Sequence, residues 1–245
     1  MKFKKAQLSA FIILVVILLA IIAIYFVIKS DLGESKVNPE IQPVYSSIES
    51  CLKQTADEAV YYIGQTGGYF VSPNLSTENQ VAYYYDKGRV YLPSLDKIEN
   101  ELNSYMNSML FFCIEGFIEF PDLDIKQGEI KSKVKISDEG VVFEVDYPIT
   151  ISKGENTYRF DKFENIEVPV RLRTIYDVAI KVIDEETSNG DFCINCIDDI
   201  MEEHDLYLEM WDYDEETVVF NLVDFNSQIN GKEYKFYFAS KYELE

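Results

Sequence analysis

Histidine occurs once in these 245 residues, and that scarcity removes most hydrolytic chemistry. No His-x-x-x-His zinc pair can form. A nucleophilic triad would have to use His204 within Glu202-Glu-His-Asp205, yet no Gly-x-Ser-x-Gly elbow is present. Asp212-Tyr-Asp214-Glu-Glu216 alternates carboxylates but lacks the glycine of a calcium loop, so it reads as a hairpin turn. Gly64, Gly67 and Gly68 are not followed by Lys-Ser or Lys-Thr, which excludes a phosphate-cradling loop. Basic residues are also scarce, 22 against 43 acids, for a net charge of −21. That field repels nucleic acid and anionic lipid heads, so neither is an expected partner. With so many acids, neighbouring carboxylate pairs arise by chance and do not identify a glycosidase. The sequence therefore assigns no catalytic residue, no metal ligand and no cofactor, and it favours a non-enzymatic role.

What the chain does have is one long apolar run. Ala10 to Ile28 contains no charge, proline, glycine or amide. As a helix at about 1.5 Å per residue it spans roughly 28 Å, close to the hydrocarbon core of a bilayer. A core helix would carry a polar face, and a secretory signal would have a shorter run ending at a small-x-small site. The expectation is a permanent transmembrane helix over 10–28, with the lipid bilayer as its partner. Lys2, Lys4 and Lys5 precede it without an acid among them, whereas Asp31 and Glu34 follow. The positive-inside rule then places a basic stub, 1–9, in the cytoplasm and the rest of the chain outside. Residues 29–43 are polar, with Pro39 and Pro43 near their end, and read as a linker.

The segment Lys4-Lys5-Ala6-Gln7-Leu8-Ser9 resembles the leader of archaeal type IV pilin-like (class III) proteins. The resemblance implies cleavage between Ala6 and Gln7, with the apolar helix kept on the mature protein. The family pattern has a Glu two residues after the Ser, tied to subunit assembly, where this chain has Phe11. That departure weighs toward a fixed anchor. The Lys-Lys-x-Gln start, Glu49-Ser50-Cys51-Leu52 and Gln65-Thr66-Gly67-Gly68-Tyr69 together resemble uncharacterised single-pass surface proteins of small-genome archaea. This second resemblance covers about the first half of the chain. It implies an envelope protein and brings no known activity.

Residues 44–245 read as an α+β domain of antiparallel sheet and about four helices, in one piece or in two halves, 44–125 and 126–245. Apolar steps of three and four predict helices over about Val44–Gly64, Ser94–Gly116 and Arg171–Thr187. A shorter one over Cys193–Glu203 has Asp191 as its cap. Glu99 and Glu101 fall off the apolar stripe of the second helix and are expected on its other faces. A period of two from Ile130 to Ile136, then Val141–Ile151, Tyr158–Phe160 and Ile166–Val170, predicts an antiparallel meander. Strands follow at about Leu206–Trp211, Thr217–Val223 and Glu233–Ala239, with Asn230-Gly231 as a tight turn.

Four cysteines all fall in the segment expected outside, where disulfides persist. Cys51 and Cys113 each lie on a helix's apolar stripe. Either they bridge, or they are two buried thiols acting as small apolar groups. Cys193-Ile-Asn-Cys196 admits a structural disulfide, half of a metal site, or a redox dithiol at a helix start. Asn74-Leu-Ser76 is a glycosylation sequon, and the tyrosines of Val81–Tyr85 form either a carbohydrate platform or an ordinary sheet face. The reading is a single-pass, membrane-anchored cell-surface protein with a structural or binding role, facing another envelope protein or a surface glycan. The alternatives are a pilin-like or filament-associated subunit and an extracytoplasmic dithiol oxidoreductase.

Overall fold

The computed structural model describes residues 17–18, 38–188 and 193–243. The chain divides into two units, Met1–Tyr45 and Ser46–Glu245. The expected span 10–28 lies outside the described residues except for Ile17 and Leu18, both helical and exposed. The Ala6–Gln7 leader junction lies outside them altogether. Among the described residues no helix is long and apolar enough to cross a membrane. Within the first unit, the Asn38 carbonyl accepts the amides of Ile41 and Gln42 and opens helix α1 (Gln42–Gln65). The linker thus ends before Gln42 rather than at Pro43. Proline is tolerated here because the amides of a helix's first turn have no intrahelical partner.

The second unit is α+β. Besides α1 it holds α2 (Leu95–Ile114), α3 (Leu172–Ser188) and α4 (Ile194–His204). Five strands make a C-terminal sheet: β1 (Tyr83–Asp86), β2 (Arg89–Val90), β8 (Tyr207–Asp212), β9 (Thr217–Ile229) and β10 (Lys232–Lys241). Their order is β2-β1-β10-β9-β8. The β1–β10 pair is parallel, with Tyr83 beside Ala239, so the sheet is antiparallel except there. This sheet draws on both sides of residue 125. Asn230 and Gly231 join β9 to β10 with φ of 53° and 76°, the positive values a two-residue type I′ hairpin needs.

The other sheet holds β3 (Asp124–Gln127), β4 (Lys131–Ile136), β5 (Val141–Lys153), β6 (Asn156–Lys162) and β7 (Ile166–Val168). It is not a meander. The long β5 is central: Val141–Phe143 lies between β4 and β7, and Ile149–Ser152 lies between β3 and β6. A strand of 13 residues is long enough to take two short partners on each side. Its alternate residues Val141, Phe143, Val145, Tyr147, Ile149 and Ile151 are buried, which fixes register, because a one-residue slip would expose them all.

Glu99 and Glu101 are not on solvent faces of α2; both are buried. Glu99 Oε1 accepts the Ile136 amide at 3.0 Å, and Lys135 Nζ donates to its other oxygen at 2.8 Å. Glu101 Oε2 accepts the amides of Phe70 and Val71 at 2.8 and 3.2 Å, while Lys97 pairs with Oε1 at 2.6 Å. Each carboxylate is buried because it satisfies backbone donors that would otherwise be orphaned. The Cys51–Cys113 disulfide joins α1 to α2, with Cα atoms 5.6 Å apart.

Helices α1 and α3 cover one face of the C-terminal sheet. There Tyr84 stacks on Phe238 and Phe238 on Phe220, with ring centroids 5.1 and 5.0 Å apart. Tyr234 donates to the Val60 carbonyl of α1, and Ser240 to Glu186 of α3. A Cβ on Gly64 would lie 2.4 Å from the Lys235 carbonyl, so the end of α1 presses directly on the backbone of β10. Arg171, just before α3, forms a bidentate pair with the fully buried Asp224 of β9, at 2.5 and 2.9 Å. That pair explains why β9 runs past Val223, through a polar stretch that reads as loop in the sequence.

Candidate functional site

The opposite face of the C-terminal sheet follows from strand periodicity. Side chains alternate along a strand, and directly opposed residues share a face. The pairings set three rows: Tyr207, Val223 and Lys235; Glu209, Asn221 and Tyr237; Trp211, Val219 and Ala239. Tyr83, Tyr213 and Tyr237 pack over a small buried cluster of Val81, Val219 and Ala239. The sheet is thus roofed by its own aromatic rings at this end.

Those rings are open to solvent. Tyr207 is 54% exposed, Trp211 43% and Phe225 59%. Tyr207 pairs with Phe225 at 6.3 Å, and Trp211 meets Tyr237 edge to face at 6.1 Å. Tyr207 and Trp211 are four residues apart on one strand, so the two aromatic pairs lie about 13 Å apart. Between them stands exposed Glu209, held by a 2.6 Å hydrogen bond from Asn221 Nδ2. Burial, and then the Glu209 carboxylate and Tyr61, push the Tyr237 phenol above its ordinary pKa. Asn221 is 1% exposed, and its Oδ1 has no hydrogen-bond donor. An unpaired buried amide oxygen costs about 1–3 kcal/mol, so the fold retains a destabilising acceptor beneath the aromatic row.

Strand β8 ends the sheet, and its other face is open as well. A cleft of about 350 Å³ is lined by Met210, Trp211, Asp212, Val218, Phe220 and Tyr242. Tyr242 donates to Glu186, and burial raises that carboxyl's pKa against the lowering effect of the hydrogen bonds from Tyr242 and Ser240. Large apolar side chains exposed on both faces of an end strand make this end of the sheet the candidate site.

The residues singled out by sequence lie elsewhere. Cys51 and Cys113 form one disulfide, and Cys193 and Cys196 the other, with Cα atoms 5.3 Å apart. Cys193 is itself the N-cap of α4 and accepts the Cys196 amide at 3.3 Å. Asp191, the expected cap, lies outside the described residues. Asn74 is exposed in its loop, and Ser76 donates to the Pro73 carbonyl. Among the described residues no three of His, Cys, Asp and Glu converge to hold a metal ion. The signal missed in Leu206–Trp211 was that both of its faces carry large apolar groups. Such a pattern reads as a fully buried strand, whereas this one lies at an edge. Compared with known protein families, with curated proteins and with solved structures, the chain has no significant match.

Proposed function

We propose that this chain is a membrane-anchored cell-surface protein, N-terminus inside, whose folded part binds an external partner on the aromatic face and open end of its C-terminal sheet. One observation carries the reading: Tyr207, Met210, Trp211 and Phe225 are all exposed on or beside one end strand. The anchor rests on the apolar run 10–28 and its basic flank, and two disulfides accord with an oxidising exterior. Exposed Asn74 is then open to glycan transfer. The archaeal surface-protein resemblance points the same way. The test uses the full chain in intact cells. Protease added outside should release the 46–245 unit, and a Tyr207→Ala/Trp211→Ala variant should stay anchored and folded while losing its surface cross-links. Retention of every cross-link would sink the binding role, and full protection from protease would sink the topology. A mature N-terminus at Gln7 would instead favour the pilin-like subunit.

A second reading has its own observation. The Cys193 sulfur caps α4 and receives an amide hydrogen bond, an arrangement that stabilises a thiolate. A dithiol oxidoreductase would need this pair to open under mild reductant while Cys51–Cys113 stays closed. Equal resistance of both bridges would argue against it.

A further inference from the structure

We infer that the outer face of the C-terminal sheet is a binding site for a neutral polysaccharide chain, with Trp211 and Tyr207 as stacking platforms and Glu209 as the hydroxyl acceptor between them. The inference rests on the binding role proposed above and names its ligand. Three features select the chemistry. First, two aromatic pairs about 13 Å apart on one line call for an extended ligand that offers flat apolar surfaces at intervals. A sugar ring does so through the C–H bonds of its face. Second, the polar group that reaches the surface between the rings is an acceptor. Glu209 is an exposed carboxylate that takes one donor from the buried Asn221 and keeps acceptor capacity toward solvent. A ligand rich in O–H groups matches it. A proline-rich peptide, the other common guest of aromatic surfaces, offers mainly carbonyl acceptors and does not. Third, Glu209 is itself an anion on a chain with net charge −21, and this field disfavours polyanionic sugars. A lysine- or arginine-rich segment would suit the charge. Charge alone, however, gives no use for four aromatic rings set in two pairs along a strand, and the rings favour the polyol.

Trp211 is the only tryptophan in the chain, so intrinsic tryptophan fluorescence of the full-length protein in nanodiscs reports on the end of β8, and the Tyr237 and Glu209 variants assign a response to the outer face. Mannan, dextran and cellohexaose serve as neutral probes, alginate as a polyanion and poly-lysine as a basic polymer. At least one neutral glycan should shift the Trp211 emission saturably. Alginate should bind at least about tenfold more weakly, with the gap narrowing as salt screens the field. Tyr237→Ala and Glu209→Gln should each weaken the glycan by about tenfold, the scale of a central contact. Tyr237→Phe, which keeps the ring, should restore most of the affinity lost in Tyr237→Ala. Unchanged thermal unfolding of these variants shows that the loss is in binding. No response to any neutral glycan, with saturable and Glu209-dependent binding of poly-lysine, would overturn the sugar and leave the binding role standing. No response to any polymer, with surface cross-links unaffected by Tyr207→Ala/Trp211→Ala, would remove both.

Discussion

Strand β4 and strand β8 each present an outer edge, and the molecule treats them differently. Along β4 the side chains of α2 take the outward amides: Asn107 Oδ1 accepts from Ser132 at 2.9 Å and Glu99 Oε1 from Ile136 at 3.0 Å. The edge is thereby closed to pairing with another chain. Along the outer edge of β8 no strand pairs among the described residues, and Tyr207, Met210 and Trp211 are exposed. A fold that buries a glutamate to seal one edge can evidently seal edges. The open one, bearing aromatic rings and a pinned carboxylate, is better explained by use than by incomplete packing. The opposite face of that sheet supports this view, since away from β8 it is covered by α1 and α3 over buried rings and the buried Asp224 carboxylate.

The largest expected effect comes from removing the ion pair of Arg171 with Asp224. Asp224→Ala should cost about 3–5 kcal/mol, because the half-buried Arg171 guanidinium, the buried Ser227 hydroxyl and the Asn226 amide all lose their acceptor at once. Arg171 also donates to the carbonyls of His204 and Asp205 at 3.1 Å, so the loss loosens α3, the end of α4 and β9 together. Denaturant unfolding measures it. Burial pushes the Asp224 carboxyl up, but hydrogen bonds from Arg171, Ser227 and the Asn226 amide outweigh this and hold it below the usual carboxylate value. A depressed folded pKa gives stability that is present above the unfolded pKa and is lost as pH falls through the folded one. The variant should therefore show a weaker loss of stability in acid than the parent. Identical acid profiles would mean that Asp224 does not bind α3 to the sheet as described.

Next in size is the bridge between the two helices. The Cys51–Cys113 disulfide spans a sequence separation of 62 and links α1, which lies on the C-terminal sheet, to α2, which seals β4. Replacing both cysteines by alanine should cost about 2–4 kcal/mol, chiefly by freeing the unfolded chain. The Cys193–Cys196 bridge spans only three residues, and its removal should cost much less by the same loop-closure argument. Denaturation midpoints of the two double variants give the comparison. A larger effect from the short bridge would show that α4, rather than the α1–α2 junction, ties the fold together.

Much of this was legible in the sequence, and the illegible part has a common cause. The stripes of α1, α2 and α3 repeat every three or four residues, and local periodicity alone reveals them. Cys51 and Cys113 sit on two such stripes, so their meeting needed only that two apolar faces pack. Strand β5 announced itself through alternate buried positions. Sheet order did not, because pairing is non-local: β1 lies beside β10, about 150 residues onward, and nothing near Tyr83 points to Ala239. The same limit hid the site. Tyr207, Glu209 and Trp211 become a surface row only once β8 is known to be the end strand. Asn221 becomes notable only once it is known to be buried without a donor for Oδ1. Glu99 and Glu101 were misplaced for a related reason, since a carboxylate is buried where distant backbone amides need it.

The smallest effect is also the most direct test of the contrast between the edges, because it changes one residue type at two places. Glu99→Ala leaves the Ile136 amide without its acceptor, and a lost charged hydrogen bond with a buried donor costs about 1.5–3 kcal/mol. The paired Lys135 is largely exposed and adds little. Glu209→Ala removes an exposed carboxylate from the open strand and with it the acceptor of Asn221 Nδ2, but water reaches the place it leaves, so the cost stays near about 0.5–1 kcal/mol, the net value of one hydrogen bond. Thermal unfolding of the two variants should separate them clearly. A second readout separates sealing from mere packing: with its edge uncovered, Glu99→Ala should self-associate at high concentration, measured by sedimentation, whereas Glu209→Ala should not. Equal destabilisation by both substitutions, with neither associating, would mean that Glu99 does not seal β4, and the open edge of β8 would then need no functional explanation.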